Sequence, residues 1–492
     1  MTNNDYAMST FPVNHIKSLA GIIPAGIYKF PMSMASFAKR SIVAGFSLMI
    51  VSLSPAVAQK HRQWSLADCI DYALNHNISV KQADNQMRQR ELQLSTARNM
   101  RLPDLSASAG QNFSFGRGLT AENTYSNTNT SNTSLSLGTT VPLFTGFQIP
   151  NQIRMNQLNL EAATQDLEKA RNDISVQVAQ AYVQVLYDAE VAQVAHRQIE
   201  IDSLQTVRLQ ALVDNGKASQ AELSQQQATL AQSRLTATQA DNQHRMSLLS
   251  LSQLLELDTP DGFDIERPQL PRLAAFSPGD SSSLAGGVGE EPSPDAIFAE
   301  AVGERPEVRS EQLRLAAADR NISIAKAALY PQLNFSGGLG TNYYRTSGFR
   351  AESFGRQLSN NFSQYLGLNL SVPIFNRLQT RNNIRAARVE RESQQLQLDL
   401  ARKNLYKEIQ QACYSAANAR QKLISSQEAL ASSTEAFRLM QAKYENGKAN
   451  QTEFNEAKNN LMKAESDLVQ ARYEHVYQQA LLQFYRGRRL SF

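Results

Sequence analysis

Hydrophobic positions along this chain follow two periods, and each period appears twice. Ile153, Leu160, Leu167, Ile174 and Ala181 recur every seven residues, the spacing of a helical seam that packs on a partner helix. Neither Pro nor Gly interrupts the run between Pro150 and Asp214, so a helix of about 65 residues, roughly 100 Å long, is predicted. Gly216 then offers a turn whose backbone can take a left-handed cap, and residues 219–257 return as a second helix. The same succession recurs as Gln379–Glu445, a turn at Gly447, and Gln451–Tyr485. Faces away from the seams carry Gln, Ala, Ser and Asn, as at Gln225, Gln226, Gln227, Gln410 and Gln411. Small polar faces opposite apolar seams fit helices packed around a wet interior.

Ahead of each long helix the period falls to two. Leu105, Ala107, Ala109, Phe113 and Phe115 alternate with Ser106, Ser108, Gly110, Asn112 and Ser114, and Leu135, Leu137, Thr139 and Val141 alternate likewise. In the second half, Leu333, Phe335, Leu339 and Tyr343 make one such row and Leu366, Leu368, Leu370 and Val372 another. Four amphipathic strands in two hairpins are predicted, with the polar residues 123–133 and 346–361 as the hairpin loops. One opening helix precedes each hairpin. Ser65 is placed to cap the first, with Asp68 in its first turn, and the second opens at Ser293, Pro294 and Asp295. Each ends near Pro103 or Pro331, because Pro cannot continue a helix. Strands with one apolar and one small polar face suit a membrane barrel. Four strands cannot close one, and a barrel in lipid must close, so further copies of the chain are expected to complete it.

The two halves overlay by position. Val141, Pro142, Leu143 and Phe144 recur as Val372, Pro373, Ile374 and Phe375 at an offset of 231. Asn215, Gly216, Lys217 and Ala218 recur as Asn446, Gly447, Lys448 and Ala449 at the same offset. Upstream, Leu102, Pro103, Asp104 and Leu105 pair with Tyr330, Pro331, Gln332 and Leu333 at an offset of 228, as does Ala73 with Ala301. Pro and Gly punctuation held at fixed spacing marks a duplication. The predicted divisions of the first half are an N-terminal extension and signal peptide (1–58), an opening helix (59–101), a transmembrane hairpin (102–146) and a long helical hairpin (147–260). A Pro/Gly/Ser-rich linker (261–294) leads to the second opening helix (295–330), hairpin (331–376), helical hairpin (377–487) and a short tail (488–492).

Charge and cysteines add an address. Lys39 and Arg40 precede an apolar run from Ile42 to Leu53 that ends at Ala56, Val57 and Ala58. This is the make-up of a secretory signal, with cleavage expected between Ala58 and Gln59. Initiation at Met32 or Met34 would give it a conventional length. The net charge of +4 includes +3 from the first 58 residues (Lys17, Lys29, Lys39 and Arg40 against Asp5), leaving about +1 for the rest. That balance gives no electrostatic footprint for nucleic acid. Cys69 and Cys413 stand alone and far apart, which excludes a disulfide scaffold.

Taken in order, the Ser65, Leu66, Ala67, Asp68 opening, the two Pro-marked strand starts, the two Pro-marked strand ends and the paired Asn-Gly-Lys-Ala turns resemble the TolC family of outer-membrane channel proteins. The resemblance spans nearly everything after Gln59. It implies a mainly α fold with transmembrane β: a homotrimer whose four strands per chain make a twelve-stranded barrel, continued by a long periplasmic α-helical barrel. Pro142 and Pro373 would mark the strand-to-helix junctions. The implied function is an exit duct in the outer membrane of a Gram-negative bacterium, passing cargo from an inner-membrane pump and a periplasmic adaptor to the exterior. Asn215, Gly216, Lys217 and Ala218, with Asn446, Gly447, Lys448 and Ala449, would be the adaptor-docking tips. Glu222, Tyr444, Glu453 and Glu456 would form the pore gate, with three copies of each carboxylate near one constriction. Two positions depart from the pattern: Ala449 stands where some members carry a basic residue, and Arg377 stands where the first half has Gly146.

No catalytic constellation competes with this assignment. The six His show no metal-ligand spacing, and Gly337, Gly338, Leu339 and Gly340 lack the Lys-Ser/Thr ending of a phosphate loop. No enzyme activity, cofactor or metal is expected. The alternative is a periplasmic coiled-coil tether, which would share the long helices but would have no use for lipid-facing strands.

Overall fold

The computed structural model describes residues 63–119, 123–258, 262–268 and 293–491. The signal peptide, its cleavage point at Ala58 and Gln59, and most of the 261–294 linker lie outside the described residues. In chain order the first half is β1 (Gln63–Trp64), α1 (Leu66–His76), α2 (Ile78–Asn99), β2 (Ser106–Leu119), β3 (Tyr125–Phe144), α3 (Gln148–Asp214) and α4 (Gln220–Leu254). The second is β4 (Asp264–Ile265), α5 (Pro294–Ala301), α6 (Pro306–Ala327), β5 (Gln332–Thr346), α7 (Phe354–Asn360), β6 (Ser363–Ser371), α8 (Gln379–Glu445) and α9 (Gln451–Tyr485). The duplication is carried residue for residue: α3 and α8 each have 67 residues, and α4 and α9 each have 35.

Each expected opening helix is two helices. Asn77 ends α1 and caps α2, its side chain accepting from the Ser79 N–H at 2.8 Å. Pro306 starts α6 after the break that follows α5. Ser65 and Asp68 do form a reciprocal capping box on α1. Around it, Tyr182 of α3 donates its hydroxyl to Glu266 O (2.5 Å) and Trp64 O (3.3 Å), holding the β1–β4 pair onto the core. This core gathers Cys69, Val178, Tyr182, Val185, Leu251 and Leu255, all fully buried. Burial pushes the Cys69 thiol up to about 12, so it is a packing group rather than a nucleophile. A smaller cluster around Ile297, Val308, Leu405 and Ile409 serves the second half.

The sheet is antiparallel throughout, in the order β2, β3, β5, β6. Residues 123–133 are not a loop: β3 begins at Tyr125 and stays in register with β2 from Leu119↔Tyr125 to Ser106↔Gly138. Thr is β-branched and suits a pleated strand, and both neighbours supply backbone partners to a run that looks loop-like by polarity alone. In the second hairpin the expected loop contains α7, which packs on β5 in place of a longer β6. Asn361 donates to Asn342 O at 2.8 Å, Gln357 accepts from the Tyr344 N–H at 2.9 Å, and the Tyr343 and Phe354 rings lie 5.1 Å apart.

The junctions from sheet to helix repeat as well. Pro142 sits inside β3 at a register shift, four residues before the left-handed pair Gly146 (φ 61°) and Phe147 (φ 65°) that starts α3. Pro373 follows β6, and Arg377 (φ 55°) and Leu378 (φ 64°) occupy the equivalent left-handed pair before α8. A Cβ on Gly146 would lie 2.5 Å from Ala327 O and 2.8 Å from Tyr330 Cβ. Gly is therefore required there on two grounds, conformation and space.

Candidate functional site

The expected lipid-facing strands lie in the sheet, and the expected docking and gate residues lie at or near the hairpin tips. Register across all four strands puts the apolar residues on one face. Ala107, Leu137 and Leu339 align, with Gln364 beside them on β6, and Val141, Phe335 and Leu368 align. The opposite face aligns Ser108, Ser136, Gly340 and Ser363, and the two Ser108 and Ser136 hydroxyls meet at 2.6 Å. The apolar face is open: Phe115 is 76 % and Leu366 80 % exposed. From Leu333 to Tyr343 it runs roughly 33 Å along the strand. No helix of the described residues is long and apolar enough to cross a membrane.

At the other end, each tip is a glycine cap followed by a capping box. Gly216 (φ 67°) donates its N–H to Val213 O at 2.9 Å and Lys217 donates to Leu212 O at 2.8 Å. Gly447 (φ 70°) and Lys448 repeat both bonds, to Tyr444 O at 3.1 Å and Lys443 O at 2.8 Å. The Asn215 and Asn446 side chains donate to Ala211 O (2.6 Å) and Ala442 O (2.7 Å). A Cβ on either glycine would meet nothing within 4 Å, so these glycines serve the turn and leave the tip open to a close approach. Ala218 and Ala449 precede the capping boxes of α4 and α9.

Of the expected gate residues, Glu222 and Glu453 hold equivalent places in those boxes. Glu222 accepts from the Ser219 N–H and Glu453 from the Asn450 N–H, both at 3.0 Å. Glu456 lies one turn further on, exposed, and lines with Glu453, Ser432 and Met440 a cleft between α8 and α9. Tyr444 stacks on the buried Phe454 ring at 4.8 Å and donates its hydroxyl to Gln451 Oε1. Its hydroxyl is thus engaged by Gln451 rather than by Glu222. Burial pushes the Tyr444 phenol above its ordinary value, while nearby Arg208 opposes the rise and Glu222 adds to it.

Behind Tyr444 runs a polar chain that sequence patterning missed. Gln451 donates to Gln226 Oε1 at 2.6 Å, and Gln226 donates to Asp202 O at 3.3 Å. Asp202 Oδ2 accepts from Ser233 Oγ at 2.5 Å and Gln198 Nε2 at 3.1 Å, and its Oδ1 pairs with Lys458 Nζ. Asp202 is fully buried and Lys458 is 2 % exposed. Gln226, assigned above to a wet face, is therefore core; only its neighbours Gln225 and Gln227 face out. Asp202, a charge three heptads beyond Ala181 on the same seam, was the available signal.

The sequence profile described as outer membrane efflux protein matches residues 69–256 and 298–488, one stretch in each half of the chain. The chain belongs to the outer membrane efflux protein family. As a member it is an outer-membrane channel protein with a large periplasmic part, and the resemblance to TolC-type channels seen in the sequence holds. Protein CyaE of Bordetella pertussis is 25 % identical over 349 residues, covering 71 % of this chain and 68 % of that protein. The pyoverdine export outer membrane protein OpmQ of Pseudomonas putida is 29 % identical over 243 residues, covering 49 % of this chain and 45 % of its own length. The crystal structure of outer membrane protein VceC from Vibrio cholerae superposes with a TM-score of 0.69 at 18 % identity, covering 87 % of this efflux protein and 97 % of VceC. At that identity the likeness is one of fold.

Proposed function

We propose that this efflux protein is one third of a homotrimeric exit duct. Four strands from each copy make a twelve-stranded barrel, and the paired long helices continue it through the periplasm. The observation that carries this is a mainly apolar face shared by four strands whose outer members, β2 and β6, each have one unpaired edge. Open edges are not tolerated in lipid, and three copies remove all of them. A coiled-coil tether has no use for such a face. An inner-membrane pump and a periplasmic adaptor complete the tripartite efflux or type I secretion system. The adaptor docks on the turns at Gly216 and Gly447, where nothing in the chain crowds the glycines. The pyoverdine export named for OpmQ supports small-molecule cargo within this class.

Glu222, Glu453 and Glu456, with Tyr444, form the gate at the same end. Planar-bilayer recording of the detergent-extracted protein tests both levels. Small, mostly closed, cation-selective openings are expected. The Glu453→Gln, Glu456→Gln double variant should lose cation preference; Gln still completes a capping box, so the change is one of charge. Unchanged selectivity would remove these carboxylates from the gate. Extracted protein that is monomeric and electrically silent, and washes off membranes in carbonate, would return the tether.

A further inference from the structure

Charged contacts between the two helical hairpins form a ladder of alternating sign. From the sheet side toward the tips, α3 presents Glu190, Arg197, Asp202 and Arg208. Facing them are Arg472 (2.9 Å), Glu465 (3.5 Å), Lys458 and, at the end of α8, Glu445 (3.8 Å). On α9 the rungs Lys458, Glu465 and Arg472 fall seven residues apart. Sliding α9 along α3 by one heptad, roughly 10 Å, therefore sets Arg472 against Arg197 and Glu465 against Asp202. The opposite slip sets Glu465 against Glu190 and Lys458 against Arg197. Either shift turns two of the three α3–α9 attractions into repulsions and leaves the third rung opposite a neutral glutamine.

The rungs also differ in depth. Asp202 and Lys458 are buried, with the Asp202 carboxylate held further by Ser233 and Gln198, whereas Arg208 and Glu445 at the tip end are more than a third exposed. Parting a buried pair before water reaches it leaves two uncompensated charges, which lowers the population of that dry parted state by roughly 10²- to 10³-fold. Parting the tip rung, in water, has little effect. Resting on the duct function above, we propose that the α3–α9 seam at Asp202 and Lys458 is a fixed pivot: the gate opens by spreading the tip segments beyond it, and α3 neither slides along nor leaves α9 at that level.

Arg197 and Glu465, the partly exposed rung next to the pivot, give the test. Arg197→Cys with Glu465→Cys is made in a Cys413→Ala background, and Cys69 is left in place because it is buried and its thiol is pushed up to about 12. The pair is joined by a short thiol-cleavable bismaleimide in cells whose only outer membrane efflux protein is this one, and dye efflux is followed. Efflux equal before cross-linking, after it and after reduction is the expected result. Efflux lost on cross-linking and restored by reduction overturns the pivot, since the seam must then part or slide. Absence of dye efflux with the unaltered protein would instead count against the duct function.

Discussion

Gly146 and Arg377 occupy equivalent left-handed positions and predict opposite responses. In Gly146→Ala the residue keeps φ near 61° and gains a Cβ 2.5 Å from Ala327 O and 2.8 Å from Tyr330 Cβ. The left-handed conformation costs an L-residue about 1–2 kcal/mol. The clash adds about 1–3 kcal/mol, because its nearer partner is a backbone carbonyl that cannot rotate away. Together these give a loss of about 2–5 kcal/mol. Arg377→Gly, at φ 55° and exposed, relieves the first term. The added freedom of Gly in the unfolded chain offsets part of that, leaving a gain of about 0.5–1 kcal/mol. Helix ellipticity of the detergent-extracted proteins, heated at one fixed rate, reads both, as apparent midpoints if unfolding is irreversible. At roughly 1–2 °C per kcal/mol for a chain of this size, Gly146→Ala should melt clearly below wild type and Arg377→Gly slightly above it. A Gly146→Ala protein as stable as wild type, or an Arg377→Gly protein less stable than it, would refute the reasoning.

Two further outcomes are expected. Lys458→Met strands the buried Asp202 and should cost about 3 kcal/mol, the low end for a broken buried pair because Ser233, Gln198 and Gln226 still bind the carboxylate; the double variant Asp202→Leu, Lys458→Met should regain much of that in the same melting assay. Burial holds the His244 imidazole below its ordinary 6.5, with Arg267 adding to the effect and Asp264, Asp188 and Asp241 opposing it. The unfolded chain then takes the proton first, so stability present above pH 6.5 is lost as pH falls toward the folded-state value. His244→Gln should flatten the acid limb of the melting profile, and an unchanged slope would exclude His244 as its source.

What the sequence disclosed was whatever depended on period and punctuation. The heptads of α3, the Pro-marked strand ends and the two Asn-Gly turns each reflect a local constraint, and the duplication doubled every signal. The length of β3 was not legible, because a run of Asn, Thr and Ser becomes strand only when β2 and β5 supply its hydrogen bonds. The breaks at Asn77 and Pro306 were blurred by helical composition on both sides. Asp202, Gln226 and Lys458 were missed for a different reason. A polar residue on a long helix is ordinarily solvated, and only the approach of α3 to α9 turns these three into core. Glu222 and Glu453 stand out in the sequence only through the family resemblance, and their capping bonds follow from Ser219 and Asn450, three residues earlier.

The tip turns also bear on how the protein ages. Asn followed by Gly is the dipeptide most prone to lose its side-chain amide, by attack of the glycine nitrogen on the asparagine carbonyl carbon. At both tips that chemistry is restrained, since the Asn215 and Asn446 amides are bound to Ala211 O and Ala442 O and the Gly216 and Gly447 N–H groups to Val213 O and Tyr444 O. Damage must therefore proceed through moments of local fraying. Each conversion leaves a carboxylate at the C-terminal end of α3 or α8, where the helix dipole disfavours negative charge. Fraying then becomes easier in the altered tip, so the chemical lifetime of the periplasmic end is set by how well these two short turns stay closed.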